Sequence, residues 1–159
     1  MKNILWTDWE TIRDENIRDH TILLDVDGVL MADGEEEPSE EVLPYILELI
    51  GNNDVWLVSN SRRKGRTPKV AGMLNVPWAD TKLRKPDPRI LKHIQVVDEK
   101  PLLVIGDKFL TDGLFALTTK AKARLLKARL KSKKDRPFAV FAYTLDDLVS
   151  GLLKFWYSR

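Results

Sequence analysis

At 159 residues, with 43% hydrophobic and 31% charged side chains, the chain has enough length for one globular core and too little for two. It has no cysteine, which excludes disulfide cross-links, and no apolar run near the roughly 20 residues that cross a bilayer. A net charge of +2 assigns no partner; the distribution is more informative, with acid at Glu35-Glu36-Glu37 and base at Arg62-Arg63-Lys64 and between Lys120 and Arg136.

In chain order, Trp6, Trp9, Ile12 and Ile17 lie among charges, and Thr7 or Asp8 is placed to cap a short helix. Lys2 is followed by no apolar signal-peptide core, so a cytoplasmic location is expected. Ile22-Leu23-Leu24 then runs into Asp25-Val26-Asp27-Gly28, a buried strand with two carboxylates at its end. Strand alternation would start Asp25 and Asp27 on one side. Ionised groups at such a position are costly unless they bind a cation or carry out chemistry. A polar loop leads to a helix opened near Ser39, with Pro44 moving its start towards Leu43, and closed by Gly51 and Asn52.

Asp54-Val55-Trp56-Leu57-Val58-Ser59-Asn60-Ser61 reads as a second buried strand ending in small polar residues. A basic loop and a helix follow from Arg62 to Leu74, then a short strand at Val76-Pro77-Trp78 and a helix from about Arg89 to Val96. Leu102-Leu103-Val104-Ile105-Gly106-Asp107 is a further buried strand, again ending in Gly-Asp. A helix is expected from near Asp112 to Lys134, a last strand at Phe138–Tyr143, and a final helix capped by Thr144 with Asp147. Strands alternating with helices predict a three-layer α/β/α domain with a parallel sheet, whose ligands bind beyond the carboxyl ends of the strands. Those ends carry Asp25 and Asp27, Ser59 and Asn60, and Asp107.

Asp25-Val26-Asp27-Gly28-Val29, Ser59-Asn60, Lys85-Pro86, and Gly106-Asp107 through Thr111-Asp112 resemble, in order, the four motifs of the haloacid dehalogenase (HAD) superfamily of phosphohydrolases. Arg84-Lys85-Pro86 and Ile105-Gly106-Asp107 are similar to the capless subfamily IIIA, which includes phosphatidylglycerophosphate phosphatases. The resemblance implies a Rossmann-like HAD fold without a cap domain over residues 1–159. It implies Mg²⁺-dependent hydrolysis of a phosphomonoester through an aspartyl-phosphate, with phosphatidylglycerophosphate or another membrane-associated ester as substrate. By the same resemblance Asp25 is the nucleophile, Asp27 the general acid and base, and Lys85 the neutralising cation. Ser59 and the Asn60 amide bind phosphate; Asp25, the Asp27 carbonyl and Asp107 hold Mg²⁺, with Asp112 in support. Val29 stands where the family more often has Thr, and a long basic segment follows Asp112 where relatives turn quickly into the next strand. Other readings are a nucleic-acid 3′-end phosphatase, a small-molecule phosphatase and a non-catalytic HAD-like binding module.

Chemistry alone makes the set coherent: an anionic nucleophile meets an anionic phosphate only across compensating positive charge, which a hard cation and a lysine supply. Lys120, Arg124, Lys127, Lys131 and Lys134 recur at helical steps in the expected basic helix, a face suited to an anionic membrane surface, less well to nucleic acid, or equally to plain solvent. Arg62, Arg63, Lys64 and Arg66 are expected at the mouth of the site, and the aromatic end Phe155-Trp156-Tyr157 favours a peripheral membrane position.

Overall fold

The sheet begins earlier than the sequence suggests. The computed structural model describes residues 3–61, 63–96 and 99–157, with backbone alone for 138, 139 and 154–157. Ile4–Thr7 forms β1, and Asp8 then caps α1 (Trp9–Asp14) by accepting from Thr11 N at 2.9 Å. There follow β2 (Thr21–Leu24), α2 (Leu43–Asn52), β3 (Asp54–Leu57), α3 (Arg66–Leu74), β4 (Leu102–Gly106), α4 (Leu114–Thr119), β5 (Lys122–Leu126) and α5 (Pro137–Tyr157). The five strands are all parallel, in the order β1-β5-β4-β2-β3.

Alternation along the strands builds the two cores. Ile22 and Leu24 of β2 join Ile12, Ile46, Leu49, Val70 and Leu74 on the face covered by α1, α2 and α3. Leu23 points the other way, with Val104, Ala123, Leu125, Ile90 and Phe115, against α4; Val149 and Leu153 of α5 pack on this second core. The architecture is therefore the three-layer parallel α/β fold. Only a loop and α2 separate Asp27 from β3, and only α3 and short turns separate β3 from Lys85, so no inserted cap domain stands in either place.

Several local expectations are corrected. The basic helix reaching Lys134 does not form: α4 stops at Thr119, with Lys120 in the left-handed region (φ 58°). The Thr119 hydroxyl caps the last turn by donating to Phe115 O at 2.7 Å. Lys122–Leu126 is β5, between β1 and β4, with Ala123 and Leu125 buried and Lys122 outside. Lys, Ala, Arg and Leu are good helix formers, but a vacant place in the sheet outweighs a preference of a few tenths of a kcal/mol per residue. Lys120, Arg124, Lys127, Lys131 and Lys134 therefore share no helix face; Arg124 instead pairs with Glu15 at 2.7 Å.

The strand expected at Phe138–Tyr143 is the start of α5, and Thr144 lies inside that helix rather than at its cap. Pro137 at the first helical position suits a helix start. Tyr143, Asp146 and Ser150 are buried at helical spacing. Pro88–His93 is a 3-10 turn, shorter than the helix expected to Val96, and Trp78 makes only an isolated bridge to Leu57. Arg62 and the side chains of Phe155, Trp156 and Tyr157 lie outside the described residues.

Candidate active site

The sheet order reverses at β2, which pairs with β3 on one side and β4 on the other. The crevice at such a switch point is where ligands bind in open parallel sheets. Leu24 lies opposite Leu57 and Ile105, so the chain leaves β2 beside the ends of both neighbours. Asp25 N donates to Ile105 O at 2.9 Å, which fixes Asp25 against the Gly106-Asp107 turn. One π-helical turn, Phe109–Gly113, then brings Asp112 back to the same place.

Asp25, Asp107 and Asp112 are buried, and each offers a carboxylate oxygen within 4.8 Å of the others. Two glycines make this crowding possible. Gly28 adopts φ +85°, and a Cβ there would come within 2.9 Å of Asp107 Cγ. A Cβ on Gly106 would press on the Asp112 carboxylate. Each glycine thus makes room for an acid from another motif.

Lys85 neutralises the cluster from below the surface, its Nζ 2.9 Å from Asp25 Oδ1 and 2.5 Å from Asp112 Oδ1. Burial works against the ammonium, but Asp112 and Asp25 more than offset it and its pKa is raised. Burial likewise pushes the Asp25 carboxyl up, with Lys85 opposing and Asp112 adding to the rise. Asp107 is also raised by burial, against the pull of Lys108. Asp112 moves the other way: burial would raise it, but Lys85 and Lys108 hold it below the usual carboxylate range.

Asp27 lies outside this trio and pairs with Arg66 through Oδ1. Strand alternation does not place it, because β2 ends at Leu24 and residues 25–31 form a tight loop with Gly28 N donating to Met31 O at 2.7 Å. Arg66 is itself buried and also donates to Ala32 O (2.8 Å) and Glu35 O (2.9 Å), tying the acid loop to α3. Burial raises the Asp27 pKa despite Arg66.

Asn60 does more than the sequence suggests. Its Nδ2 donates to Lys85 O at 3.0 Å, and its Oδ1 accepts from Lys85 N at 2.8 Å, so the side chain clamps the backbone that carries Lys85. Asn60 and Ser61 line the cleft; Ser59 is not among its lining residues, and its hydroxyl accepts from Ser61 N at 3.0 Å. The cleft, about 520 Å³, is walled by Asp25, Asp27, Asp33, Arg84, Lys108, Thr111, Arg136 and Tyr143 in addition to Asn60 and Ser61.

Sequence reasoning placed Asp25, Asp27, Lys85, Asn60, Asp107 and Asp112 together, and the structure brings them together. It missed Lys108, Arg129 and Tyr143. Lys108 Nζ binds Asp107 Oδ1 at 2.8 Å, and Arg129 Nε faces Asp107 Oδ2 at 3.2 Å. The Tyr143 ring lies against both cations, 4.7 Å from each. Adjacency to Asp107 was a usable hint for Lys108. None existed for Arg129 or Tyr143, which reach the site from the β5–α5 connection and from α5.

The trio fits a divalent cation. Three carboxylates offer the hard oxygen donors such an ion takes, and Asp107 Oδ2 is buried with the Arg129 ion pair but no hydrogen bond to satisfy it. No family model matches the chain, and no curated protein matches it. A solved structure described as an uncharacterized protein from Listeria monocytogenes serotype 4b is similar at 14% identity, with a TM-score of 0.54 over 74% of this chain and 85% of that one. That likeness is one of fold alone: the chain is a three-layer parallel α/β protein with a buried acidic trio at its switch point.

Proposed function

We propose that the chain is a Mg²⁺-dependent phosphomonoesterase of HAD type that works through an aspartyl-phosphate on Asp25. The observation that carries this reading is the convergence of Asp25, Asp107, Asp112 and Lys85 at the carboxyl edge of the sheet, with Asp27 in the same cleft. Asp25, Asp107 and Asp112 would hold Mg²⁺, Asp112 as a ligand where the resemblance implies the Asp27 carbonyl with Asp112 in support; when bound, the ion supplies positive charge beside the transferring phosphoryl group. A carboxylate oxygen of Asp25 attacks phosphorus and the ester oxygen leaves. Arg66 holds Asp27 Oδ1, which leaves Oδ2 to carry the proton, and burial favours the protonated form needed to donate it to the leaving oxygen. Asp27 then takes a proton from the water that hydrolyses the phospho-aspartate. Lys85 offsets the charge on Asp25, and Asn60 keeps Lys85 in place.

The cleft has no cap, which suits a bulky or surface-borne phosphate ester such as the membrane-associated substrate that the resemblance implies. The decisive experiment is a phosphate-release screen over lipid, nucleotide, sugar and aryl phosphates, with Mg²⁺ or excess chelator. Release from at least one class, lost in chelator, is expected; no release from any class would overturn the proposal.

Asp27→Asn separates acid catalysis from nucleophilic attack. A general acid contributes typically about 10²–10⁴-fold, and an aryl phosphate with a good leaving group needs little of it. The variant is therefore expected to lose about a hundredfold or more on alkyl phosphates and far less in forming the phosphoenzyme from an activated aryl ester. Equal losses on both, measured in single-turnover burst experiments, would assign Asp27 to structure.

A further inference from the structure

α5 presents an apolar row to solvent. Phe141, Leu145, Leu148 and Leu152 recur at steps of four, three and four, and are 66%, 46%, 64% and 57% exposed. Val140, Thr144 and Gly151 beside them are also exposed; among the described residues the one charge bordering this part of the face is Asp147, which Arg129 neutralises at 2.8 Å. The opposite face is occupied: Tyr143 and Ser150 are buried, and Asp146 accepts from Phe109 N (3.1 Å) and Leu110 N (2.8 Å), anchoring α5 to the loop between Asp107 and Asp112. The exposed row is thus a free surface on a helix held firmly by its other side.

We infer that this row, with the lysines that precede it, docks the protein onto an anionic phospholipid surface. Two features select that occupant. The segment entering α5, Lys131-Ser132-Lys133-Lys134-Asp135-Arg136, is strongly basic, and Lys131 and Lys133 are exposed with no ion pair among the described residues. An apolar helix face led into by a segment with unpaired lysines complements both the acyl boundary and the anionic headgroups of a membrane. A second copy of the chain is the poorer match, because a stable protein interface needs about 800 Å² from each partner and this row is one side chain wide. Among the described residues no helix is long and apolar enough to cross a membrane, so α5 would lie along the surface. Ala142 and Tyr143 of α5 line the cleft, so a docked helix sets the cleft mouth beside the headgroups.

The inference deepens the phosphatase reading but is tested without turnover. Binding is measured by co-sedimentation with phosphatidylcholine vesicles, with and without phosphatidylserine, for the parent, Phe141→Glu/Leu148→Glu and Lys131→Gln/Lys133→Gln. The parent is expected to bind the anionic vesicles well and the neutral ones weakly. The glutamates are expected to cut anionic binding at least tenfold, and the lysine pair by about fivefold for each charge removed. The altered residues are exposed and outside the cleft, so far-ultraviolet circular dichroism should match the parent. No parental binding, or equal binding by both variants, overturns the inference. So does a parental dimer in analytical ultracentrifugation that the glutamates convert to monomer, since that assigns the row to an interface between copies. Asp25→Asn is expected to bind vesicles like the parent, so loss of the catalytic reading would leave this result standing.

Discussion

Asp25→Asn is expected to fold, to melt near the parent temperature, and to lose phosphate release by about 10⁴-fold or more. The amide matches the carboxylate in shape but is no nucleophile towards phosphorus. Stability should survive because Lys85 keeps Asp112 as a partner at 2.5 Å, and the crowded trio loses one negative charge. Two measurements check this: steady-state release in saturating Mg²⁺, and recovery of hydroxylamine-labile phosphate on the protein, present in the parent and absent in the variant. Turnover within tenfold of the parent would rule out the aspartyl-phosphate route and favour a binding module or a different nucleophile.

The second large effect is on stability. Lys85→Met removes the cation shared by Asp25 and Asp112 while keeping most of the unbranched side chain. Removing one partner of a buried ion pair leaves uncompensated charge and costs about 3–5 kcal/mol. The Lys108 ammonium pairs with Asp107 and acts on Asp25 and Asp112 only from a distance, so it offsets part of the loss without replacing the shared ion pair. In chelator, denaturant unfolding should therefore show a loss of this size, large against the roughly 5–15 kcal/mol that holds an ordinary domain together. Adding Mg²⁺ should recover part of it, because a cation bound to the trio neutralises the same carboxylates and binds only the folded state. A loss below 1 kcal/mol would show that the acids are neutralised by protons rather than by Lys85. Destabilisation with no recovery on adding Mg²⁺ would count against the trio as a cation site.

The parts that the sequence determined alone are those written in short, local patterns. β2, β3 and β4 are apolar runs closed by polar residues, and each lies within a few residues of where its composition puts it. Because ligands gather beyond the carboxyl ends of such strands, finding the strands also found Asp25, Asn60 and Asp107. Lys85 and Asp112 were legible only through the order of motifs. Their spacing says nothing of a lysine lying 2.5 Å from an aspartate 27 positions away.

Tertiary structure decided the rest. Lys122–Leu126 has helix-forming residues but becomes a strand, because β1 and β4 leave a place between them that only an extended segment fills. Phe138–Tyr143 has strand-forming residues but lies in a helix, whose inner face holds the Asp107–Asp112 loop through Asp146. Propensity differs by less than a kcal/mol per residue between these choices, and burial of a whole face outweighs it. The partners of the acids followed the same rule. Arg66 on Asp27 and Arg129 on Asp107 come from elements 39 and 22 residues away, and only the packing of α3 and of the β5–α5 connection brings their charges to the site.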